Sequence, residues 1–232
     1  IRYYSQDPAR NIGEIKKITI EAHDKTDGPR IFSINITDGS KVLDKFYTSN
    51  QKPNIEVQFF ESAIITHSRL LNKKTGLIVP LQAGQDANVK FSFSITETLP
   101  NGEYTLELNA KNKNNIFMDQ PLSQALIIDN NKPLLEISPQ NGAVINESFV
   151  KIKLAFDKEV NLETVKINKE EIKGLFSTID NKAFTSTINL SDGNKNLEVT
   201  ASDFAKNRLA AFVSFVVDAN PAVISLVSPK FG

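Results

Sequence analysis

Apolar and polar residues alternate one for one along much of this chain. Val89, Phe91, Phe93 and Ile95 alternate with Lys90, Ser92, Ser94 and Thr96; Val150, Ile152, Leu154 and Phe156 alternate with Lys151, Lys153, Ala155 and Asp157. Successive strand side chains point to opposite faces, so period two predicts strands with one dry and one wet side. That is the signature of antiparallel sheet packed on a core. Clusters of Gly, Asn, Asp and Pro separate the runs, as in INKEEIKG (167–174) and NKKTG (72–76). Helical periodicity of useful length is missing. In NLETVKINKEE (161–171), Val165 and Ile167 alternate, which reads as mostly strand. The pattern predicts an all-β fold.

The punctuation between strands repeats. DKTDGPRIFSINITDG (24–39), IIDNNKPLLEISPQNG (127–142) and VVDANPAVISLVSPKFG (216–232) each run from an acid through a proline into alternating apolar residues and a glycine. Pro29, Pro133 and Pro221 are 104 (133 − 29) and 88 (221 − 133) residues apart, close to the ~100 residues of one sandwich domain. Proline cannot donate to a ladder, so it fits between strands. LPNGEYTLELNAKN (99–112) also lies over LSDGNKNLEVTASD (190–203) at a constant offset of 91. Leu106 meets Leu197, Leu108 meets Val199 and Ala110 meets Ala201. Two matches in the same order predict a tandem repeat.

These matches divide the chain into an end of a preceding module (1–28, with Ile18, Ile20 and Ala22 alternating), sandwich 1 (29–130), sandwich 2 (131–219), and a linker or following module (220–232). A lone exposed strand invites pairing, so each end segment is expected to pack on its neighbour. The chain starts at Ile1 without a start methionine or signal peptide and reads as a piece of something longer. Short Pro-containing junctions predict restricted hinging, with proteolytic cutting near Asn131.

At these residues the chain resembles the bacterial immunoglobulin-like modules of secreted and surface proteins. The resemblance rests on Asp129, Pro133, Ile137, Ser138, Pro139, Asn141 and Gly142, followed by Leu190, Asp192, Gly193, Val199, Ala201 and Asp203. It covers about 29–219, more closely in the second unit than in the first. It implies tandem immunoglobulin-like antiparallel β-sandwiches serving as a non-catalytic spacer or scaffold, extracellular or at a bacterial cell surface. NGEYTL (101–106) looks like an immunoglobulin corner, where a tyrosine hydroxyl bonds back to nearby backbone. Tyr104 would be that tyrosine, and Leu106 would stand where antibody domains have a cysteine. Lys195 takes the corresponding place in the second unit, so that corner must be closed otherwise. A narrower likeness, on Gly28, Pro29, Pro53, Ile55 and the Glu61–Ile65 region, is to the β-sandwich segments downstream of gingipain-like cysteine peptidases. It implies accessory domains of an exported enzyme whose catalytic part lies elsewhere.

Charge and composition narrow the function. Lys plus Arg and Asp plus Glu each total 27, so no basic excess favours nucleic acid. No apolar run approaches the ~20 residues that span a bilayer as a helix. Cysteine and tryptophan are absent, which excludes disulfides and a cysteine nucleophile within the segment. His23 and His67 have no catalytic neighbourhood, no Gly-x-Ser-x-Gly occurs, and Glu170 and Glu171, adjacent in a turn, would point to opposite faces. No catalytic residue and no cofactor are expected.

Two kinds of binding remain. Asp129, Asn130 and Asn131 resemble the Asp-Asn linkers that hold calcium between cadherin domains. They supply only three side chains where calcium takes six to eight oxygens, and Asp and Asn are also ordinary turn formers. Asp24 with Asp27, and Asp218 with Asn220, mark the other junctions. For carbohydrate, Tyr3, Tyr4 and Tyr47 are the available aromatic faces, since most phenylalanines are expected to face inward. NKKTG and TIDNKA (178–183) are the loops best placed to recognise a protein or glycan. The expected partners are the rest of the parent protein and a surface protein or glycan.

Overall fold

In a computed structural model, residues 27–84 and 86–220 are described, together with the backbone pairing of Arg2–Tyr3 with Lys16–Lys17. The expectations for Ile18, Ile20, Ala22, His23, Asp24 and Tyr4, for Tyr3's side chain and for the segment from Pro221 to Gly232 lie outside the described residues. The described chain is strand and turn, apart from one 3-10 turn at Lys173–Leu175.

The alternating runs form the expected strands. Asn88–Ser94 sends Phe91 and Phe93 inward, while Phe149–Phe156 alternates exposed and buried residues along its whole length. The stretch 161–171 contributes to the strand Val160–Ile167 and the two-residue strand Glu170–Glu171. A tight turn with positive φ at Asn168 (49°) and Lys169 (75°) joins them. Glu170 and Glu171 therefore lie on a short hairpin arm rather than in the turn, and both are exposed.

The strands bury two separate apolar clusters. The first gathers residues from Ile36 to Ile128, the second from Val150 to Val217. Around the first, sheet order runs Ile31–Ile36, Asn54–Asn72, Gly102–Lys111, Leu122–Ile128, Lys45–Thr48, Ser40–Val42. Asn54–Asn72 is 19 residues long. Its first half pairs with Ile31–Ile36 and Asn88–Ser94, and its second half with Ile78–Pro80 and Gly102–Lys111. Register shifts at Gln58/Ala63 and Ile65/His67 mark the irregularities that bend it from one pairing to the other.

The second cluster lies between two sheets. One has the order Leu135–Ser138, Phe149–Phe156, Ala183–Asn189, Ser177–Thr178; the other runs Val144–Ile145, Arg208–Val217, Gly193–Asp203, Val160–Ile167, Glu170–Glu171. The sheets are not purely antiparallel as expected. Leu122–Ile128 pairs in parallel with Lys45–Thr48, and Val144–Ile145 pairs in parallel with Arg208–Val217. A strand that arrives by crossing the sandwich, rather than by a hairpin, can meet its neighbour in the same direction.

Residues matched at the offset of 91 share their burial. Leu106, Leu108 and Ala110 of Gly102–Lys111 are fully buried, as are Leu197, Val199 and Ala201 of Gly193–Asp203.

Candidate functional site: the junction between the two cores

The segment DNNKP (129–133) leaves Leu122–Ile128 and leads into Leu135–Ser138. Nearly every residue in it is tied down. The Asp129 N–H donates to Thr48 O (3.0 Å), and the Asp129 carboxylate accepts the Asn131 N–H (3.0 Å). Asn130 N–H donates to Asn101 Oδ1 (3.2 Å), Pro133 is buried, and Leu134 N–H donates to Asp157 Oδ1 (2.8 Å). An Asx turn closed on itself and flanked by tertiary bonds has little freedom left to swing.

Lys158 sits at the centre. It belongs to the turn between Phe149–Phe156 and Val160–Ile167. Its ammonium donates to Asp129 Oδ2 (2.7 Å) and Asn131 O (2.9 Å) and approaches Asp203 Oδ2 (3.4 Å). Asp203, whose side chain is only 4% exposed, also accepts from the N–H (2.9 Å) and Nδ2 (2.9 Å) of Asn207. Asn207 Nδ2 reaches on to Asp129 O at 2.7 Å. The segment 129–133 is thus bonded to residues beside the second core through one ammonium and one amide. Partial burial draws the Lys158 pKa down, but the hydrogen bond and charge of Asp129, and then Asp203, outweigh it and leave the value raised.

Residues beside the first core also touch residues beside the second directly. Tyr47 and Phe204 meet edge to face with centroids 5.4 Å apart, and the Ser40 hydroxyl donates to Phe204 O. A cleft of about 260 Å³ remains, lined by Tyr47, Asp157, Lys158, Glu159, Lys182 and Phe204 among others.

Several sequence candidates take their places here. Asp129 and Asn131 present a carboxylate and a carbonyl to Lys158, while Asn130 contributes its N–H to Asn101. Among the described residues no three His, Asp or Glu side chains converge as a metal ligand set. Tyr47 is spent on Phe204 rather than standing as an open sugar platform. His67 is exposed beside a bulge in Asn54–Asn72. In NKKTG, Asn72 is buried and its Oδ1 accepts from Lys74 N and Thr75 N, which fixes the loop. In TIDNKA, Asp180 accepts from the N–H groups of Lys182 and Ala183, and Ile179 projects fully into solvent.

Both corners are closed. Tyr104 is fully buried and its hydroxyl donates to Pro100 O (2.9 Å). Lys195 closes the second corner itself, reaching Ser191 Oγ (3.2 Å) and Asp192 O (3.4 Å).

Sequence reasoning missed Lys158, Phe204 and Asn207. A charged turn such as Asp157-Lys158-Glu159 looks like solvated surface, whereas Asp129, Asn131 and Tyr47, and Asp203 at the end of the repeated motif, had pointed to this region. Of the 14 described phenylalanines seven are buried, fewer than expected, and Phe32, Phe60, Phe117, Phe149 and Phe212 are exposed. Phe32 and Phe60 form an edge-to-face pair at 5.0 Å with the Arg30 guanidinium 5.5 Å from the Phe60 ring. Phe32 is the extra residue at the Ile31/Ser33 register shift, which turns its ring outward.

Residues 87–174 match the family model described as bacterial Ig-like domain (group 3). The match begins beside the strand Asn88–Ser94, crosses the junction and ends in the 3-10 turn Lys173–Leu175. No curated protein matches the chain. Among solved structures, a tetra-tandem repeat from the extending region of a large adhesion protein is 17% identical, with 93% of this chain and 55% of that one covered and a TM-score of 0.35. Latent PorU from Porphyromonas gingivalis is 10% identical over 94% of this chain and 24% of its own, with a TM-score of 0.33. The immunoglobulin domains 1–5 of Sidekick-1 are 9% identical over 84% and 40%, with a TM-score of 0.36. In its fold the chain is an immunoglobulin-like β-sandwich protein, and through residues 87–174 it is similar to the bacterial Ig-like domains of group 3.

Proposed function

We propose that the chain is a non-catalytic spacer in a larger secreted or cell-surface bacterial protein, and that it holds its two sandwiches in one relative orientation. The observation that carries this reading is the junction. Asp129 and Asn131 of the linker, Tyr47 and Ser40 of the first unit, and Lys158, Asp203, Phe204 and Asn207 of the second meet in one bonded cluster. A flexible tether would leave the linker's polar groups to water. A spacer that transmits position must instead satisfy them internally. Small-angle scattering of the whole chain tests it: one rigid arrangement of the two sandwiches fits the curve, and a curve that demands many orientations rejects the reading.

A second reading, recognition of a surface protein or glycan, is favoured by the exposed Phe32–Phe60 pair under Arg30. Exposed rings packed edge to face offer an apolar face ready for contact. A pull-down and glycan array repeated with Phe32→Ala/Phe60→Ala decides it, since binding that survives the double change does not use this patch. Accessory service to an exported peptidase is the spacer reading with a particular parent, and the reading frame on either side of this segment tests it.

A further inference from the structure

We infer that Lys158 is a built-in cation that stands where an Asp-Asn linker of this kind would otherwise recruit a metal ion, so that the junction stays locked whether or not calcium is present. This inference rests on the spacer reading and deepens it.

The geometry is that of oxygen atoms gathered around one positive centre. Two carboxylate oxygens from distant parts of the chain, Asp129 Oδ2 and Asp203 Oδ2, and the carbonyl of Asn131 surround the same ammonium at 2.7, 3.4 and 2.9 Å. Two carboxylates this close repel one another unless a cation lies between them. Asp203 is almost wholly enclosed, so water cannot substitute for that cation cheaply. An ammonium has three donors and here meets three acceptors, which fills its hydrogen-bonding capacity. Asn207 supplies the neutral donors that complete Asp203. Asp157 and Glu159 line the same cleft and keep the surroundings negative, with Lys182 the opposing charge.

A covalently attached cation differs from a bound one in a testable way. It cannot be removed by chelation, and its effective concentration does not depend on the medium. Truncating Lys158 leaves two carboxylates and a carbonyl around a vacated space. Those are hard oxygen donors of the type calcium accepts, with water completing its shell.

The absence of cysteine makes the experiment direct. Spin labels at Lys113→Cys in the first unit and Lys151→Cys in the second, both exposed positions, report the distance between units by pulsed electron resonance. The parent chain is expected to give one narrow distribution, identical in EDTA and in millimolar calcium chloride. Lys158→Ala is expected to lose the narrow distribution in EDTA and regain it in calcium. Lys158→Met, which fills the space with an uncharged stem, is expected to stay broad in both. A parent distribution that shifts with calcium overturns the inference, as does a Lys158→Ala variant as narrow as the parent in EDTA. Loosening without calcium rescue keeps the lock and overturns the cation equivalence. A parent chain that is broad in every condition rejects the spacer reading itself.

Discussion

Tyr104 and Lys195 stand 91 positions apart, at matching places on Gly102–Lys111 and Gly193–Asp203, and each reaches back four residues to close its own corner. The tyrosine does so with a neutral hydroxyl on Pro100 O, the lysine with an ammonium on Ser191 Oγ and, more distantly, on Asp192 O. Two corners at matching sequence positions are therefore closed by two unlike side chains. What they share is a long stem that can lie buried while its polar tip finds an acceptor at the sandwich edge.

The difference predicts unequal sensitivity. Tyr104→Phe removes a single neutral bond from a fully buried side chain and is expected to cost about 1 kcal/mol. Lys195→Met keeps the stem and deletes the ammonium. Its acceptors belong to Ser191 and Asp192, both exposed to water, so the change is expected to stay within about 0.5 kcal/mol. Calorimetric unfolding of the two variants checks both, and a Lys195→Met loss larger than that of Tyr104→Phe contradicts the account.

How much of this was legible follows from which interactions are local. Alternation along Asn88–Ser94 and Phe149–Phe156 is a property of neighbouring residues, and it gave those strands and, except for Val89, which is exposed near the strand's start, their inward faces. The corner at Tyr104 was legible because its partner is four residues away. Along Asn54–Asn72 burial alternates through Phe59, buried, and Phe60, exposed, so the bend that follows left no trace in the pattern up to there. The junction was legible as the segment DNNKP, but the lysine that holds it was not. Lys158 meets Asp129 and Asp203 across 29 and 45 residues, and a turn lysine chosen for such a contact looks like any other. The parallel ladders were hidden for the same reason, because direction of pairing is set by how the chain crosses the sandwich.

Asp203 is the junction residue whose loss should be felt most in stability. Asp203→Ala would leave two donors of Asn207 and part of the Lys158 charge without their acceptor in an enclosed site. The expected cost is about 2 kcal/mol, since buried hydrogen bonds to a charged group are the strong ones. Denaturant unfolding followed by circular dichroism measures it. A change below about 0.5 kcal/mol would mean that the cluster is incidental.

Alkaline pH should open the junction, and the sign follows from Lys158. Its folded-state pKa lies above the ordinary 10.5. The stabilisation it contributes is therefore complete below that ordinary value and fades as pH rises through the raised one. Trypsin cannot report this, because it also reads lysine charge. A protease that cleaves at aromatic or apolar residues can, with Leu134 beside the linker as an exposed target. Cleavage there is expected to be slow at neutral pH, and to rise in alkali for the parent chain. In Lys158→Met it is already fast at neutral pH. Equal cleavage of parent and variant at neutral pH would show that the ammonium does not hold the linker.

Gly28 gives the sharpest steric prediction. It is buried where the chain enters the first unit, against the segment that follows Gly102–Lys111. A Cβ there would stand 1.8 Å from Phe117 O and 2.7 Å from Met118 N. These are backbone atoms. The Met118 N–H is already committed to Ala110 O at 2.9 Å, and Asn112 Nδ2 to Asp27 O at 3.0 Å. Nothing flexible can move aside, so even one methyl must push two hydrogen-bonded segments apart. Gly28→Ala is expected to cost about 1–3 kcal/mol, the range of overpacking strain. Gly174→Ala, where an added Cβ meets nothing within 4 Å, is expected to change stability by less than about 0.5 kcal/mol. Calorimetry on the pair separates contact from composition, because both substitutions remove the same glycine freedom. Equal stability of the two variants would show that the entry segment yields where its packing says it cannot.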